Sequence, residues 1–414
     1  MVRKSNMHIL FLTDNFPPES NAPASRTYEH ACEWVKAGHQ VTIITCAPNF
    51  PKGKVFEGYK NKLWQTEDME GIRVIRVGTY ITSNEGFIKR ILDYMSFMLS
   101  GFLAALFVRR VDIVIGTSPQ FFTVCAAWAA SSLKRRPFIF ELRDIWPESV
   151  RAVGVMQASK NLNMLEAIEM FLYRRASCII SVTHSFKDTL ARRGINPEKI
   201  HVVTNGVDPA RFSPMQKEHE LLSSLRLEGK FVVGYIGTLG MAHALETLLE
   251  AAAILKQTPE ASDVRILLLG DGAERGKLIA RARDMDLDNV VFLPSVPKTI
   301  VARYWALLDV SVVHLRKTDL FKTVVPSKIF ECMAMGLPIL HGVEGESASI
   351  IEKSSAGLLF EPENPRELAS QIIELQSNSI LRESMSKNGV LAIQSYDRKD
   401  LAKHMLSIFQ SVSN

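Results

Sequence analysis

The chain has no Cys-x-x-Cys pair. Its five cysteines, Cys32, Cys46, Cys125, Cys178 and Cys332, are scattered and odd in number. That argues against a disulfide framework or a zinc cluster and for a reducing compartment. No tract is low in complexity. The first twenty residues, "MVRKSNMHILFLTDNFPPES", hold too short an apolar run for a secretory signal and offer no small-residue cleavage site. A cytoplasmic protein is expected. A Gly-x-Gly-x-x-Gly fingerprint with an acidic residue closing the next strand is also missing, which counts against a nicotinamide oxidoreductase.

What is present is ample core. The 414 residues are 47% hydrophobic and 22% charged, long enough for two domains. Charge is unevenly split: Met1–Asn205 carries 26 Lys+Arg against 18 Asp+Glu, and Gly206–Asn414 carries 23 against 26. A basic half facing an anionic partner is one reading; ordinary surface variation is the other. Nothing in the chain points to a nucleic-acid partner.

Apolar β-like runs alternate with helical patterns in both halves. The first half gives "HILFLTD", a helix in "SRTYEHACEWVKAGH", "QVTIITC", "VDIVIGTS", a small-residue helix from Phe121, "FIFELRD", a helix near Asn161–Arg175, "CIISVT" and "HVVTNGVD". The second half starts again with "FVVGYIGTLG", the helix "AHALETLLEAAAILKQ", "VRILLLGDG", a helix over Glu274–Met285, "NVVFLPSV" and "VSVVHL". Strand–helix–strand order predicts parallel βαβ units. The expected class is α/β, two doubly wound Rossmann-like domains facing each other across a cleft. Ligands of open α/β sheets bind at the carboxyl ends of the strands. "TNGVDPARFSP", with Asn205-Gly206, Pro209 and Pro214, reads as the hinge. Residues 1–205 form the first domain and 206–390 the second. Residues 391–414 carry a helix, Arg398–Val412, that packs back.

Chemistry concentrates in "TVVPSKIFECMAMGLP", Thr323–Pro338. Ser327 follows Pro326 as a candidate N-cap, Lys328–Met335 reads as helix, and Gly336 and Pro338 stop it. Lys328 would bind an anion at the helix tip, and Glu331 one turn on would hold a vicinal diol. Phosphate and ribose together fit a nucleoside diphosphate. The bland alternative is an ordinary first-turn glutamate, worth about 0.3–1 kcal/mol. "HLRKTDLFK" adds Arg316, Lys317 and Lys322, and "FLPSVP" offers Leu293 and Pro294 as a loop on which a base stacks. The strand ends "GYIGTLG" and "LGDG" (Gly270, Asp271, Gly272) suit either phosphate contact or tight turns.

With these residues in view, the second half resembles the nucleotide-binding domain of retaining family 4 glycosyltransferases of the GT-B fold. "TVVPSKIFECMAMGLP", "VVTNGVDPARF" and "LLLGDGAERGKL…NVVFLPSV" carry the likeness over nearly the whole chain. "TDNFPPESNAPASRTYEH", "CAPNFPKGKVFEGYKN", "ELRDIWPESV" and "PSKIFE" resemble bacterial N-acetyl-L-fucosamine transferases of O-antigen and capsule assembly. The resemblance implies a UDP-sugar donor, a polyprenyl-diphosphate-linked saccharide acceptor and retention of configuration. A leaving-group phosphate oxygen would take the acceptor proton. It implies donor contacts at Thr238, His243, Gly270, Asp271, Gly272, Leu293, Pro294, Arg316, Thr323, Ser327, Lys328 and Glu331. Acceptor contacts would come from Asn21, Arg26, Arg143, Asp144 and Trp146, with Asp144, Lys328 and Glu331 catalytic.

The chain departs from the family at several of these positions. Thr323 stands where the family's first glutamate falls, "ESNAPASR" replaces a glycine-rich loop, and Arg143-Asp144 replaces His-Asp. The family's Arg and Lys fall roughly on Thr238 and His243, which leaves a histidine that is able to turn cationic. Diphosphate neutralisation is therefore expected to rest on Lys328, helped by Arg316 or His243. Metal independence and no cofactor are expected: the Asp-x-Asp at Asp284–Asp286 falls on a solvated helix face.

Phe87–Arg110 is the most apolar segment. A span needs about 20 apolar residues, and Ile91–Val108 contains Asp93. It reads as a buried helix or as an interfacial patch bracketed by Lys89-Arg90 and Arg109-Arg110. The second case places the protein peripherally on the inner face of the cytoplasmic membrane. A sugar-nucleotide epimerase and a non-catalytic sugar-nucleotide-binding homologue are the competing functions.

Overall fold

The apolar runs of the first half pair into an eight-stranded sheet. Its strands are β1 (His8–Leu12), β2 (Gln40–Cys46), β3 (Trp64–Met69), β4 (Ile72–Val77), β5 (Ile113–Thr117), β6 (Phe138–Leu142), β7 (Cys178–Ser181) and β8 (Ile200–Val202), in the order β3-β4-β2-β1-β5-β6-β7-β8. Neighbours run parallel except for β3, antiparallel to β4 at one edge. A strand covered on both faces needs an unbroken apolar run. Accordingly β1, β5, β6 and β7 are buried at every position. The structure is a computed structural model that describes residues 6–19, 21–50, 53–82, 87–145 and 160–413. Trp146 lies outside them.

The chain divides into two compact units, residues 1–204 with 398–414, and residues 205–397. The first crossing lies one residue from the sequence expectation. The return falls at Asp397 rather than at 390, because the Val207 amide donates to the Tyr396 carbonyl at 3.1 Å and Val207 bridges Asp397. The Tyr396 ring also packs on Phe330, with centroids 4.6 Å apart. The C-terminal helix Arg398–Ser413 belongs to the first unit. There the indole of Trp34 donates to the Ala402 carbonyl at 3.0 Å and meets Phe409 edge-on at 5.1 Å.

In the second unit β9 (Phe231–Ile236), β10 (Val264–Leu269), β11 (Val290–Leu293), β12 (Val310–His314), β13 (Ile339–Gly342) and β14 (Gly357–Leu359) lie in the order β11-β10-β9-β12-β13-β14. All are parallel. The order reverses between β9 and β12, the switch point of a doubly wound sheet. In the first unit the reversal lies between β1 and β5. Both units are therefore α/β and Rossmann-like, as the sequence predicts.

The apolar segment is a helix, Phe87–Phe107, in the first unit. Phe97, Ala104 and Ala105 are buried, whereas Leu92, Met95, Leu99, Leu103 and Leu106 are exposed at helical spacing and Phe107 ends the stripe 75% exposed. Among the described residues no helix is long and apolar enough to cross a membrane.

Candidate functional site

At the switch point of the second unit, β9 ends in a tight loop, Gly237–Gly240, and the chain after β12 returns as the short helix Lys328–Ala334. Lys328 reaches beneath that loop. Its Nζ is sealed from solvent, makes no hydrogen bond, and sits 3.5 Å from the centroid of the Tyr235 ring. The ring is pinned because the Tyr235 hydroxyl donates to the Thr238 carbonyl at 2.8 Å. A cation over an aromatic face gains some attraction, but an ammonium has three donors to satisfy and none is satisfied here. Burial pulls its pKa down to about 7, against smaller upward pulls from Cys332 and Glu331. A group this poorly compensated, at the carboxyl edge of the sheet, makes Lys328 a candidate site residue.

Gly237 is part of the same arrangement. A Cβ there would stand 2.8 Å from Lys328 Nζ, at a φ of +149°. A side chain there would collide with the ammonium. Gly270 and Gly272 have a different cause. A Cβ on Gly270 would overlap the Gly237 carbonyl, and one on Gly272 would overlap that of Leu239, with φ values of +154° and +156°. Backbone bonds clamp the two loops: Leu239 N donates to Asp271 O at 2.9 Å, and Glu274 N to Leu239 O at 3.0 Å. These glycines hold one loop against the other and so shape the loop that faces Lys328. Gly270→Ala should cost roughly 2–3 kcal/mol or more of stability, since strain and overlap add; chemical denaturation reads it, and a loss below 0.5 kcal/mol on that same scale would refute the clamp.

Glu331 is half-buried and 3.8 Å from Lys298 Nζ, on the loop after β11. Lys298 was not singled out by the sequence, and neither was Tyr235; a lysine after "FLPSVP" carries no local signal, and Tyr235 is hidden inside an apolar strand. Leu293 is half-buried at the end of the edge strand β11, and Pro294 is exposed beside it. The Thr238 side chain is exposed, and Asp271 accepts from the Gly272 amide at 2.9 Å. Thr323 turns its hydroxyl onto the Leu320 carbonyl at 2.6 Å.

Three expectations about the second unit need correction. Ser327 does not cap: its backbone is helical and its side chain makes no cap bond. The helix that follows has seven residues, too short for its end to be counted as an anion site by itself. Arg316 is no spare cation. It pairs with Glu246 at 2.8 Å and Glu363 at 3.3 Å and donates to the Met241 carbonyl at 2.6 Å. Its neighbours are committed too, Lys317 to Glu361 at 2.5 Å and Lys322 to Asp319 at 3.0 Å. His243 does not act as a cation. Desolvation first and the Lys328 charge second push its pKa down to about 3. Its carbonyl accepts from His314 Nδ1 at 2.8 Å, and the two histidines fasten the β9 and β12 loops together.

In the first unit Asn21 caps the helix Ala22–Lys36, its Oδ1 accepting from Ala24 N at 2.9 Å. Arg26 is buried and spent: Nε donates to Glu141 at 3.0 Å, Nη1 to the Thr204 carbonyl at 2.7 Å and Nη2 to the Val203 carbonyl at 2.9 Å. It is an architectural residue, not the acceptor contact expected. Arg143 and Asp144 follow β6, and both amides donate to Ser118 Oγ, at 2.8 and 3.2 Å. That anchors them beside the end of β5.

Residues 21–206 match the family described as "Glycosyl transferase 4-like domain", and residues 230–378 match "Glycosyl transferases group 1". The chain is 25% identical over 342 residues to the putative colanic acid biosynthesis glycosyl transferase WcaI of Escherichia coli, covering 80% of this chain and 82% of the relative. Among solved structures it is similar to a sucrose-phosphate synthase of Thermosynechococcus elongatus (TM-score 0.76, 17% identity, 98% and 99% covered). It is also similar to Anabaena HepE in complex with UDP and glucose (TM-score 0.74, 18% identity, 98% and 100% covered). With a 4-like domain in its first unit and a group 1 domain in its second, the chain belongs to the family 4-like glycosyltransferases of the GT-B fold.

Proposed function

We propose that this glycosyltransferase moves a sugar from a UDP-sugar to a polyprenyl-diphosphate-linked saccharide in bacterial O-antigen or capsule assembly, with retention of configuration. One observation carries the donor half: a buried lysine with no hydrogen bond, under a glycine loop at the switch point of the second sheet. A departing diphosphate gains charge in the transition state, and a fixed cation in a dry site stabilises it where the same cation in water would not. Lys328 Nζ then holds the diphosphate, and the lack of a side chain at Gly237 brings the loop backbone close to it. Glu331 accepts from sugar hydroxyls, and Lys298 sets its position. A leaving-group oxygen takes the acceptor proton, oriented by Asp144. The Lys328 charge does the work that other transferases give to a metal, and the reading is metal-independent. HepE in complex with UDP and glucose supports uridine, and WcaI supports surface-polysaccharide assembly. A 6-deoxy acetamido sugar such as N-acetyl-L-fucosamine suits the loss of a carboxylate at Thr323.

The acceptor half includes the membrane. The exposed stripe of the Phe87–Phe107 helix is followed by exposed Arg109 and Arg110 and preceded by exposed Lys89. Apolar side chains flanked by cations are what an anionic lipid surface binds. This keeps the protein peripheral on the inner face of the cytoplasmic membrane.

The test is UDP release from candidate UDP-sugars, UDP-N-acetyl-L-fucosamine among them, with and without a lipid-linked saccharide in anionic vesicles. Release that needs both substrates and persists in excess EDTA is expected. Absence of UDP binding would sink the reading, and loss of activity in EDTA would sink its metal-free part.

A further inference from the structure

The first unit buries a guanidinium edge that makes no hydrogen bond. Three arginines meet behind the carboxyl ends of its strands. Arg26 is 1% exposed and pairs with Glu141 at 3.0 Å; Arg398 is 8% exposed and pairs with Glu29. Arg143 is the third. Its Nε and Nη1 are both shut away from water, and neither makes a hydrogen bond. The surrounding charges do not compensate for that. Glu141 and Asp14 attract the guanidinium while Arg26 and Arg398 repel it, and burial dominates, bringing its pKa down to about 10. It stays cationic at neutral pH. His30, also buried among these arginines, is held far below the usual histidine range by desolvation and then by Arg26, Arg398 and Arg143, so it adds no charge.

Buried donors left unpaired are costly, and a buried charge with no partner more so. Among the described residues no hydrogen bond to Nε or Nη1 accounts for an arginine here. Its position offers a reason. Arg143 is the first residue after β6, and its amide is fixed by Ser118 Oγ, beyond the end of β5. It therefore lies at the carboxyl edge, where ligands of such sheets bind. A guanidinium is also the side chain best matched to oxyanions.

We propose that Arg143 anchors an anion subsite in the first unit, which takes a phosphoryl or carboxylate group of the acceptor. The proposal rests on the reading that the first unit holds the acceptor. Two acceptor chemistries present such a group: the diphosphate that links the saccharide to its lipid, and a carboxylated sugar within the saccharide. An oxyanion bound there would add to the attraction that Glu141 and Asp14 already exert on the guanidinium.

The experiment uses the full chain carrying Lys328→Met, which silences the donor lysine, and titrates it with inorganic pyrophosphate and separately with glucuronate, by calorimetry and thermal unfolding. At least one of the two probes is expected to bind and protect. Adding Arg143→Gln should weaken that binding roughly ten- to a hundredfold, the worth of a hydrogen bond to a charged group. Arg143→Lys should retain part of it. Without probe, Arg143→Gln should unfold at a higher temperature than its parent, which a structural arginine would not allow. Protection by pyrophosphate alone assigns the diphosphate link, and protection by glucuronate alone assigns a carboxylated sugar. If neither probe binds, or binding is indifferent to Arg143→Gln, the subsite is overturned. UDP binding to the wild-type chain is measured alongside: its absence overturns the donor reading and leaves the Arg143 result standing.

Discussion

Lys328→Met should lower kcat/KM by about 10²–10³-fold, the range for removing one preorganised group that stabilises developing charge. Methionine keeps the length of the stem and drops only the ammonium. Folding should not suffer. Nζ has no hydrogen bond to lose, and its burial beside Tyr235 penalises the charged form. Thermal stability without donor is therefore expected to stay level or rise, a pattern seen where function is maintained against stability. Lys322 makes a useful contrast. It is exposed and lies in the same stretch, but is paired with Asp319 at 3.0 Å and Glu344 at 3.4 Å, so Lys322→Met should leave turnover within about twofold, as surface pairs are worth little. Steady-state rates for both variants decide the matter. A Lys328→Met enzyme of near wild-type rate would remove the lysine from the diphosphate site, and with it the mechanism.

The contrast between these lysines also shows what was legible in the sequence. Strand and helix order was readable, because each strand is an apolar run bounded by turn residues and each crossover helix has helical spacing. The turn formers of "TNGVDPARFSP" fall where the chain passes from one compact unit to the other. The short helix that carries Lys328 was readable from Pro326 before it and Gly336 and Pro338 after it. The electrostatic state of individual cations was not readable. "HLRKTDLFK" shows three positive residues, and nothing local says that Glu246, Glu361 and Glu363, 44 to 70 positions away, neutralise Arg316 and Lys317. His243 presents the same difficulty. Its ordinary pKa suggests a cation, but a protein interior that also encloses Lys328 does not tolerate a second charge. The first unit shows the converse. Arg26 and Arg143 look equivalent as isolated arginines, yet one has three hydrogen-bonded nitrogens and the other has two buried ones with no bond. Long-range pairing decides which of these nitrogens are bonded and which are not, and sequence spacing does not show it.

The depressed pKa of Lys328 makes donor binding a proton-coupled event, and the sign is fixed by the geometry. In the folded chain without donor the ammonium titrates near pH 7, against an ordinary value of 10.5. Between those values the unfolded chain holds more protons, so stability rises with pH across the window. The penalty is fully present below pH 7 and gone above the ordinary lysine value. A diphosphate reverses the balance. Its negative oxygens favour the charged lysine, which raises the pKa in the complex, so binding above pH 7 must draw in a proton. Affinity for UDP is then expected to fall as pH rises above about 7, by up to tenfold per unit until the pKa of the complex is reached. A terminal phosphate, with its second pKa near 6, has already lost its proton and would not produce that slope. Calorimetry at pH 8 in two buffers of different ionisation heat should show uptake approaching one proton per UDP, and Lys328→Met should show none. UDP binding at pH 8 with no proton uptake, and with an affinity flat from pH 7 to 9, would mean that the buried ammonium and the diphosphate never meet.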